Sequence, residues 1–135
     1  PALKNLLADV TILKAGVGVA KDAALLEAEW RLPCRSTVEL SSLAQAVGLV
    51  HGRHGVGLAS LARLMLQRDL RKTKSLRCGD WRSPVLSVEQ IEYAALDAVA
   101  GQKILAAVWQ DGRRRGISTH ASSVLEFCES LIKID

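Results

Sequence analysis

The chain has 135 residues, the length of a single globular domain. Hydrophobic residues make up 49% of it and aromatic residues only 4%, so Ala, Leu and Val would supply the core, which favours helices packed on a small sheet. The net charge of +4 is moderately basic and is compatible with a nucleic-acid partner. No apolar run approaches the roughly 18 residues of a membrane span, so we expect no membrane partner, and no secretory signal is visible.

Hydrophobic periodicity and the positions of Gly and Pro predict two strands among helices. The β-branched segment 11–19 predicts a buried strand, and 36–40 a short second strand. The segments 48–57 and 67–84 contain Gly and Pro and are predicted to be irregular. Ser87 is expected to cap the helix that follows it. Helices are predicted, in chain order, over 2–8, 21–30, 41–47, 58–66, 88 to about 110, and 121–132.

Tyr93 and Asp97 lie four residues apart in the segment predicted as a helix from 88. This spacing places both side chains on one helix face, one turn apart. A carboxylate and a phenol presented together suit one site, in which the carboxylate holds a divalent metal and the phenol orients a water. Taken alone, the spacing is weak evidence, and a half-buried Tyr beside a surface Asp is the simpler interpretation.

Basic residues are concentrated in two places. Clusters of this kind neutralise phosphates and attract nucleic acid by counterion release, and a solvated surface with scattered ion pairs explains the basicity equally well. The run Arg113-Arg114-Arg115, flanked by two Gly residues, is predicted to be a loop between helices. The larger cluster contains Arg63, Arg68, Arg71, Lys72, Lys74, Arg77 and Arg82.

Three cysteines, Cys34, Cys78 and Cys128, are widely spaced and form no C-x-x-C pattern. Buried reduced thiols are therefore the expectation, which predicts a reducing intracellular compartment. His51 and His54 could suggest a metal pair, but a Gly-rich loop without a third ligand makes this the weaker interpretation.

Three blocks of the chain, in order, resemble the DEDDy 3'–5' exonuclease family, which includes ribonuclease D and the Werner-type exonucleases. The resemblance covers roughly residues 3–108. Its blocks are Lys14 to Leu26, with Asp22 at the acidic position of the second motif; Gly57 to Trp81; and Leu86 to Asp97, which contains Tyr93.

The resemblance implies a ribonuclease H-like α/β fold that is helix-dominated in this chain. It also implies a two-metal site for Mg²⁺ or Mn²⁺, with Asp22 and Asp97 as metal ligands and Tyr93 positioning or helping to deprotonate the attacking water. Nucleic acid is the implied partner, and DNA and RNA both remain open. Its phosphates would contact four basic residues: Lys74, Arg77, Arg71 and Lys72.

The family's first motif, Asp-x-Glu on the opening strand, has no match in the thirteen residues before Lys14. The chain therefore resembles the C-terminal two-thirds of the domain, either as a fragment or as a truncated domain. We expect residues 1–110 to form a partial exonuclease-like domain and 111–135 a basic loop and C-terminal helix. Another polypeptide or a parent-chain segment is expected to complete the sheet.

Three functions stay open at this point. The first is a 3'–5' exonuclease domain that is inactive without the missing motif. The second is a catalytically dead exonuclease-like domain that binds nucleic acid or supports a ribonucleoprotein assembly. The third is a protein-interaction module that uses the C-terminal helix. Glu39 is a further departure, because many family members have Asp at the matching strand position, which is not a metal-ligand position.

Overall fold

A computed structural model describes residues 2–52, 55–70, 74–118, 120–132 and 134, with the exception of the Lys74 side chain. Within this part of the chain, seven helices surround two short strands. The elements are α1 (Ala2–Ala8), β1 (Lys14–Gly16), α2 (Val19–Trp30), β2 (Thr37–Glu39), α3 (Leu40–Ala46), α4 (Leu58–Leu66), α5 (Lys74–Arg77), α6 (Val88–Arg114) and α7 (Val124–Glu129).

The two strands form a parallel pair in which Ala15 lies opposite Val38. Parallel strands need a crossover connection, and α2 provides it. Both strands are where the sequence predicted them, but β1 has three residues and is half-buried, so the prediction of a buried strand over 11–19 is wrong in length and burial. The pairing with β2 covers only these three residues, and Gly18, at φ 80°, then begins α2.

The hydrophobic core lies between α6 and the elements that pack against it. The second half of α6 contributes Ile104 and Val108, which are fully buried. They form one buried cluster with residues from β2, α3, α4 and α7. These partners include Val38, Leu40, Leu43, Leu61 and Phe127. A long amphipathic helix therefore forms the centre of the domain, as expected when helical stability comes from packing one face.

The end of α6 differs from the prediction. The helix extends to Arg114 instead of ending near Gln110, so the Arg triplet is not a loop. Basic side chains in the last helical turn are favourable there because the helix dipole is negative at its C-terminus. Arg115, the C-cap, also donates to the Val47 carbonyl at 2.8 Å and pairs with Asp111 at 2.7 Å.

Other predicted boundaries shift by smaller amounts. α5 forms one helical turn in a segment predicted to be irregular, and α7 is six residues long where the sequence predicted helix over 121–132. Of the three cysteines, Cys128 is buried, Cys34 is half-buried and Cys78 is exposed, so the expectation of buried thiols is wrong for Cys78. None of the helices in the described part of the chain is both long and apolar enough to cross a bilayer.

Helix α6 lies directly on β1 at Gly101. A Cβ added at this glycine would lie 2.8 Å from the Ala15 carbonyl oxygen, closer than real Cβ atoms come to other atoms. The obstacle is backbone within a strand, so it cannot move aside as a flexible side chain would. The absence of a side chain at position 101 is therefore required for the observed distance between α6 and the sheet.

We expect Gly101→Ala to destabilise the fold. Ala normally gains about 1 kcal/mol over Gly inside a helix, but overpacking against a fixed backbone costs about 1–3 kcal/mol, and α6 must also shift. Thermal or urea denaturation would measure the change in the free energy of unfolding. Gln102→Ala, at the exposed neighbouring position, is the matched control and should stay within about 0.5 kcal/mol of wild type. A stabilised Gly101→Ala protein would contradict the close approach.

Candidate active site

The start of α6 is set by a capping box. Ser87 Oγ accepts a hydrogen bond from the Gln90 backbone N–H at 3.2 Å, and Gln90 Oε1 accepts one from the Ser87 N–H at 2.9 Å. The Ser-x-x-Gln spacing is the sequence signature of this reciprocal cap. Gln90 also donates through Nε2 to the Asp80 carbonyl at 3.1 Å, which links the preceding loop to the helix.

Trp81 attaches the same loop to α6 from a second direction. Its indole N–H donates to the Leu76 carbonyl at 3.1 Å. Its ring lies 6.0 Å from the Tyr93 ring, centroid to centroid, at an interplanar angle of 50°. Tilted pairs at this distance are favourable aromatic contacts. Trp81 therefore packs the loop against α6 and helps to orient the Tyr93 ring.

Tyr93 and Asp97 lie on one face of α6 and line the same cleft, as their spacing predicts. Both side chains are half-buried. The cleft has a volume of about 460 Å³. Its remaining wall combines apolar and acidic side chains: Leu70, Leu76, Leu96, Glu89 and Glu92. The Asp97 side chain is therefore not a fully exposed surface carboxylate, and the role of the pair in metal binding stays a prediction.

The cleft changes the acidity of both groups. Burial raises the pKa of the Asp97 carboxyl, and hydrogen bonding by the Tyr93 hydroxyl partly offsets this by lowering it. Burial also raises the pKa of the Tyr93 phenol, and the charge and hydrogen bonding of Asp97 raise it further. The positive charge of Arg77 acts in the opposite direction on the Tyr93 pKa, so Arg77 lies near this site. Tyr93 is therefore a neutral phenol at physiological pH.

Asp22 lies in the first turn of α2, as predicted, and is exposed. Its backbone N–H donates to the Gly18 carbonyl at 3.2 Å, so its position depends on where α2 begins. The convergence of Asp22 with Asp97 stays a prediction. Within the described residues, no three His, Cys, Asp or Glu side chains form a group that could hold a metal ion. The weaker alternative of a His51–His54 pair includes His54, which lies outside the described residues.

The predicted phosphate contacts are only partly described. Arg77 is exposed at the end of α5. Lys74 begins the same helix, but its side chain is outside the description, as are Arg71 and Lys72. Arg63, another member of the basic cluster, pairs with Asp69 at 2.6 Å on an exposed surface, which reduces the charge it offers to a ligand.

Sequence reasoning missed two supports of the site. The first is the cleft wall contributed by Leu70 and Leu76, which precede α6 by many residues and show no pattern linking them to it. The second is Glu39, noted only as a departure from the family. Its carboxylate accepts hydrogen bonds from the Gly18 and Val19 N–H groups at 2.7 and 3.2 Å, at the start of the helix that carries Asp22.

Comparison with known proteins identifies the family. The family model described as 3'-5' exonuclease matches residues 1–112. The chain belongs to this 3'–5' exonuclease family, whose members are hydrolases of nucleic acid, and the predicted resemblance is confirmed. The ribonuclease H-like exonuclease fold, with a small parallel sheet and helices, follows from the same match and from the structural neighbours.

The chain matches only part of the length of individual relatives. It is 40% identical over 96 residues to human exonuclease 3'-5' domain-containing protein 2, and the matched region is 71% of this chain and 16% of that protein. It is 35% identical over 100 residues to a 3'-5' exonuclease of Arabidopsis thaliana, which covers 73% of this chain and 34% of that protein. The chain thus spans about a sixth and a third of these two curated relatives.

A solved structure has a similar fold. NrnC of Brucella melitensis superimposes with a TM-score of 0.71 at 25% identity, covering 96% of this chain and 61% of that one. NrnC has also been solved bound to pGG, with a TM-score of 0.70 at 25% identity, covering 96% of this chain and 61% of that one.

We expect Asp97→Asn to raise the melting temperature at neutral pH without divalent cations. Because the folded-state pKa of Asp97 is above its ordinary value, the ionised carboxylate costs folding free energy at any pH above that pKa. Asn has the same shape and no charge. The gain should disappear below about pH 3.9, the ordinary Asp pKa, because wild-type Asp97 is then neutral in both states. Thermal denaturation across this pH range would measure it.

Asp22→Asn is the matched control for this stability effect. Asp22 is exposed in the first turn of α2, where a negative charge is favoured by about 0.3–1 kcal/mol. Its removal should therefore leave the melting temperature unchanged or lower it. If both substitutions shifted stability in the same direction, burial would not be the reason for the Asp97 effect.

Proposed function

We propose that the chain contributes to a DEDDy-type active site that hydrolyses terminal phosphodiesters of nucleic acid by a two-metal mechanism. The main support is that Tyr93 and Asp97 line one cleft at the start of α6 in a chain of the 3'–5' exonuclease family. Asp97 and Asp22 are the proposed metal ligands, and Tyr93 acts on the attacking water.

The donor set fits Mg²⁺ or Mn²⁺, since carboxylate oxygens are the ligands that both ions prefer. When bound, such ions stabilise the attacking and leaving oxygens of the phosphodiester. A cation beside Asp97 would oppose the effect of burial and favour the ionised carboxylate. NrnC has been solved with bound Mg²⁺, with a TM-score of 0.70 at 24% identity, which covers 96% of this chain and 61% of that chain.

Tyr93 orients the attacking water and does not remove its proton. The pKa of the phenol is raised by burial and by Asp97, so the deprotonated form that could act as a base is rare at neutral pH. The neutral hydroxyl both donates and accepts hydrogen bonds. It can therefore hold a water in a fixed direction while Trp81 restricts the ring.

Nucleic acid is the proposed ligand of the cleft and its basic rim. Arg77 lies close enough to Tyr93 to affect its pKa and is exposed, so its guanidinium is available to a phosphate. Lys74, Arg71 and Lys72 are proposed as further phosphate contacts because they flank Arg77 in the sequence. The solved NrnC complex with pGG is consistent with this ligand class.

A further segment, from the same or another polypeptide, completes the site and the sheet. Among the described residues, β1 pairs only with β2, and an unpaired strand edge is normally covered. Four apolar side chains that precede β1 in the chain are exposed, namely Leu3 and Leu6 on α1 and Val10 and Ile12 after it. Two carboxylates hold two cations poorly, so the 135 residues alone are proposed to be inactive.

A nucleic-acid-binding domain without catalysis is the second candidate. It is favoured by the net charge of +4 and by the finding that, within the described ranges, no three His, Cys, Asp or Glu side chains form a group that could hold a metal ion. The two candidates differ in one respect that can be measured, because both bind nucleic acid but only the exonuclease shortens it from the 3' end in a metal-dependent reaction.

The first test is nuclease activity of the complete protein in Mn²⁺ on 3'-labelled DNA and RNA oligonucleotides. Asp97→Asn and Asp22→Asn should each lower the rate at least about 100-fold, because each removes a metal ligand. Tyr93→Phe should lower it by about 100-fold through loss of water orientation. The 135-residue chain alone should show no activity.

Glu29→Gln is the matched control for the carboxylate variants, because it removes an exposed charge from the end of α2. It should retain wild-type activity. Equal rates in wild type and Asp97→Asn would reject the site. A complete protein that binds oligonucleotides but never shortens them would favour the non-catalytic candidate.

Arg77→Ala should weaken oligonucleotide binding by a similar factor for every sequence and reduce the slope of log K against log salt by about 1. Fluorescence anisotropy at several salt concentrations would measure both quantities. Arg114→Ala, which removes the same charge at the far end of α6, is the control and should keep the wild-type slope. An unchanged slope in Arg77→Ala would exclude it as a phosphate contact.

A further inference from the structure

Both oxygens of the Glu39 carboxylate accept hydrogen bonds, each at the start of a different helix. Oε2 accepts from the Gly18 N–H at 2.7 Å and the Val19 N–H at 3.2 Å, where α2 begins. Oε1 accepts from the Ser41 hydroxyl at 2.8 Å and the Ser41 N–H at 3.4 Å, where α3 begins. One side chain at the end of β2 therefore connects the N-termini of two helices.

The start of α2 depends on this carboxylate because its own sequence offers no cap. The N-cap residue is Gly18, which has no side chain and adopts φ 80°. The first N–H groups of a helix need acceptors from outside the helix, and Glu39 reaches them from 21 residues away in the sequence. A negative charge at this end is also favoured by the helix dipole.

The contact continues from Glu39 to Asp22 through one residue, Gly18. The Gly18 N–H binds Glu39, and the Gly18 carbonyl accepts the hydrogen bond of the Asp22 N–H at 3.2 Å. Displacement of Gly18 therefore displaces the first turn of α2 and the Asp22 side chain with it. Asp22 is exposed, so burial of its side chain does not hold it in place.

We propose that Glu39 is a positioning residue that holds Asp22 in the orientation needed to bind the catalytic cation. This role rests on the proposed function of Asp22 as a metal ligand. It requires a carboxylate at position 39, since one acceptor oxygen binds α2 while the other binds α3. Gln has one acceptor oxygen and cannot accept hydrogen bonds from the backbone N–H groups of both helix starts.

The test compares Glu39→Gln with Ser41→Ala in the complete protein. Ser41→Ala removes the hydroxyl contact at α3 and leaves the contacts of Oε2 at α2, so it is the matched control. Two quantities are measured: hydrogen–deuterium exchange of a peptide covering 17–26, and the Mn²⁺ concentration that gives half-maximal nuclease activity. The melting temperature of each variant shows whether it is folded.

Glu39→Gln should speed exchange at the start of α2 and raise the half-maximal Mn²⁺ concentration about 10-fold, the lower end of the effect of losing an outer support of a metal ligand. The rate at saturating Mn²⁺ should change much less, which a general loss of folding would not produce. Ser41→Ala should change neither quantity. Glu39→Asp keeps both acceptor oxygens on a shorter chain and should shift the Mn²⁺ dependence less, in the same direction.

Unchanged exchange in Glu39→Gln would overturn the proposal whatever the activity. Faster exchange with unchanged Mn²⁺ dependence would also overturn it, because Glu39 would then be a structural cap only. If Glu39→Gln does not fold, an unchanged Mn²⁺ dependence in Glu39→Asp has the same consequence. If the wild type shows no Mn²⁺-dependent hydrolysis, the proposed function fails, and the proposed role of Glu39 in metal binding fails with it. Faster exchange in Glu39→Gln would in that case still show that Glu39 holds the start of α2.

Discussion

The contact between Gly101 and the Ala15 carbonyl determines how the domain is arranged. It brings the axis of α6 close to β1 because no Cβ separates the helix from the strand. The buried residues that follow on α6, Ile104 and Val108, then face the elements that build the core. Asp97 precedes Gly101 by one helical turn on the same face. The same contact therefore locates both the core and the acidic end of the candidate site.

Helix α6 changes character along its length, and the change has an energetic basis. Its second half is covered by β2, α3, α4 and α7 and contributes fully buried aliphatic side chains. In its first half, the same helix face extends beyond the core and is covered by fewer residues. Tyr93 and Asp97 on this face are therefore only half-buried. Partial burial raises the pKa of both groups, which is destabilising for an ionised carboxylate and is typical of residues kept for chemistry.

Individual side chains attach the loop before α6 and the start of α2 to neighbouring elements. A hydrogen bond from Gln90 and the ring contact between Trp81 and Tyr93 attach the loop before α6 to that helix. Glu39 attaches the start of α2 to the end of β2. These contacts act on residues with little burial of their own. Polar contacts to backbone groups thus add to apolar packing at the cleft and at the start of α2, whereas the core is held by apolar packing.

Both strands, six of the seven helices in the described residues, the cap at Ser87 and the shared helix face of Tyr93 and Asp97 could be predicted from the sequence. These features depend on neighbours within about four residues, so local pattern specifies them. The length of β1, the extension of α6 to Arg114 and the bridging role of Glu39 could not be predicted. Each depends on a partner distant in the chain: Val38 for Ala15, Val47 for Arg115, and Gly18 for Glu39. The sequence by itself determined most of the helical segments and the shared face of Tyr93 and Asp97, because both depend on residues close in the chain. The tertiary structure decided where several elements end and which residues meet, because these depend on packing between residues distant in the chain.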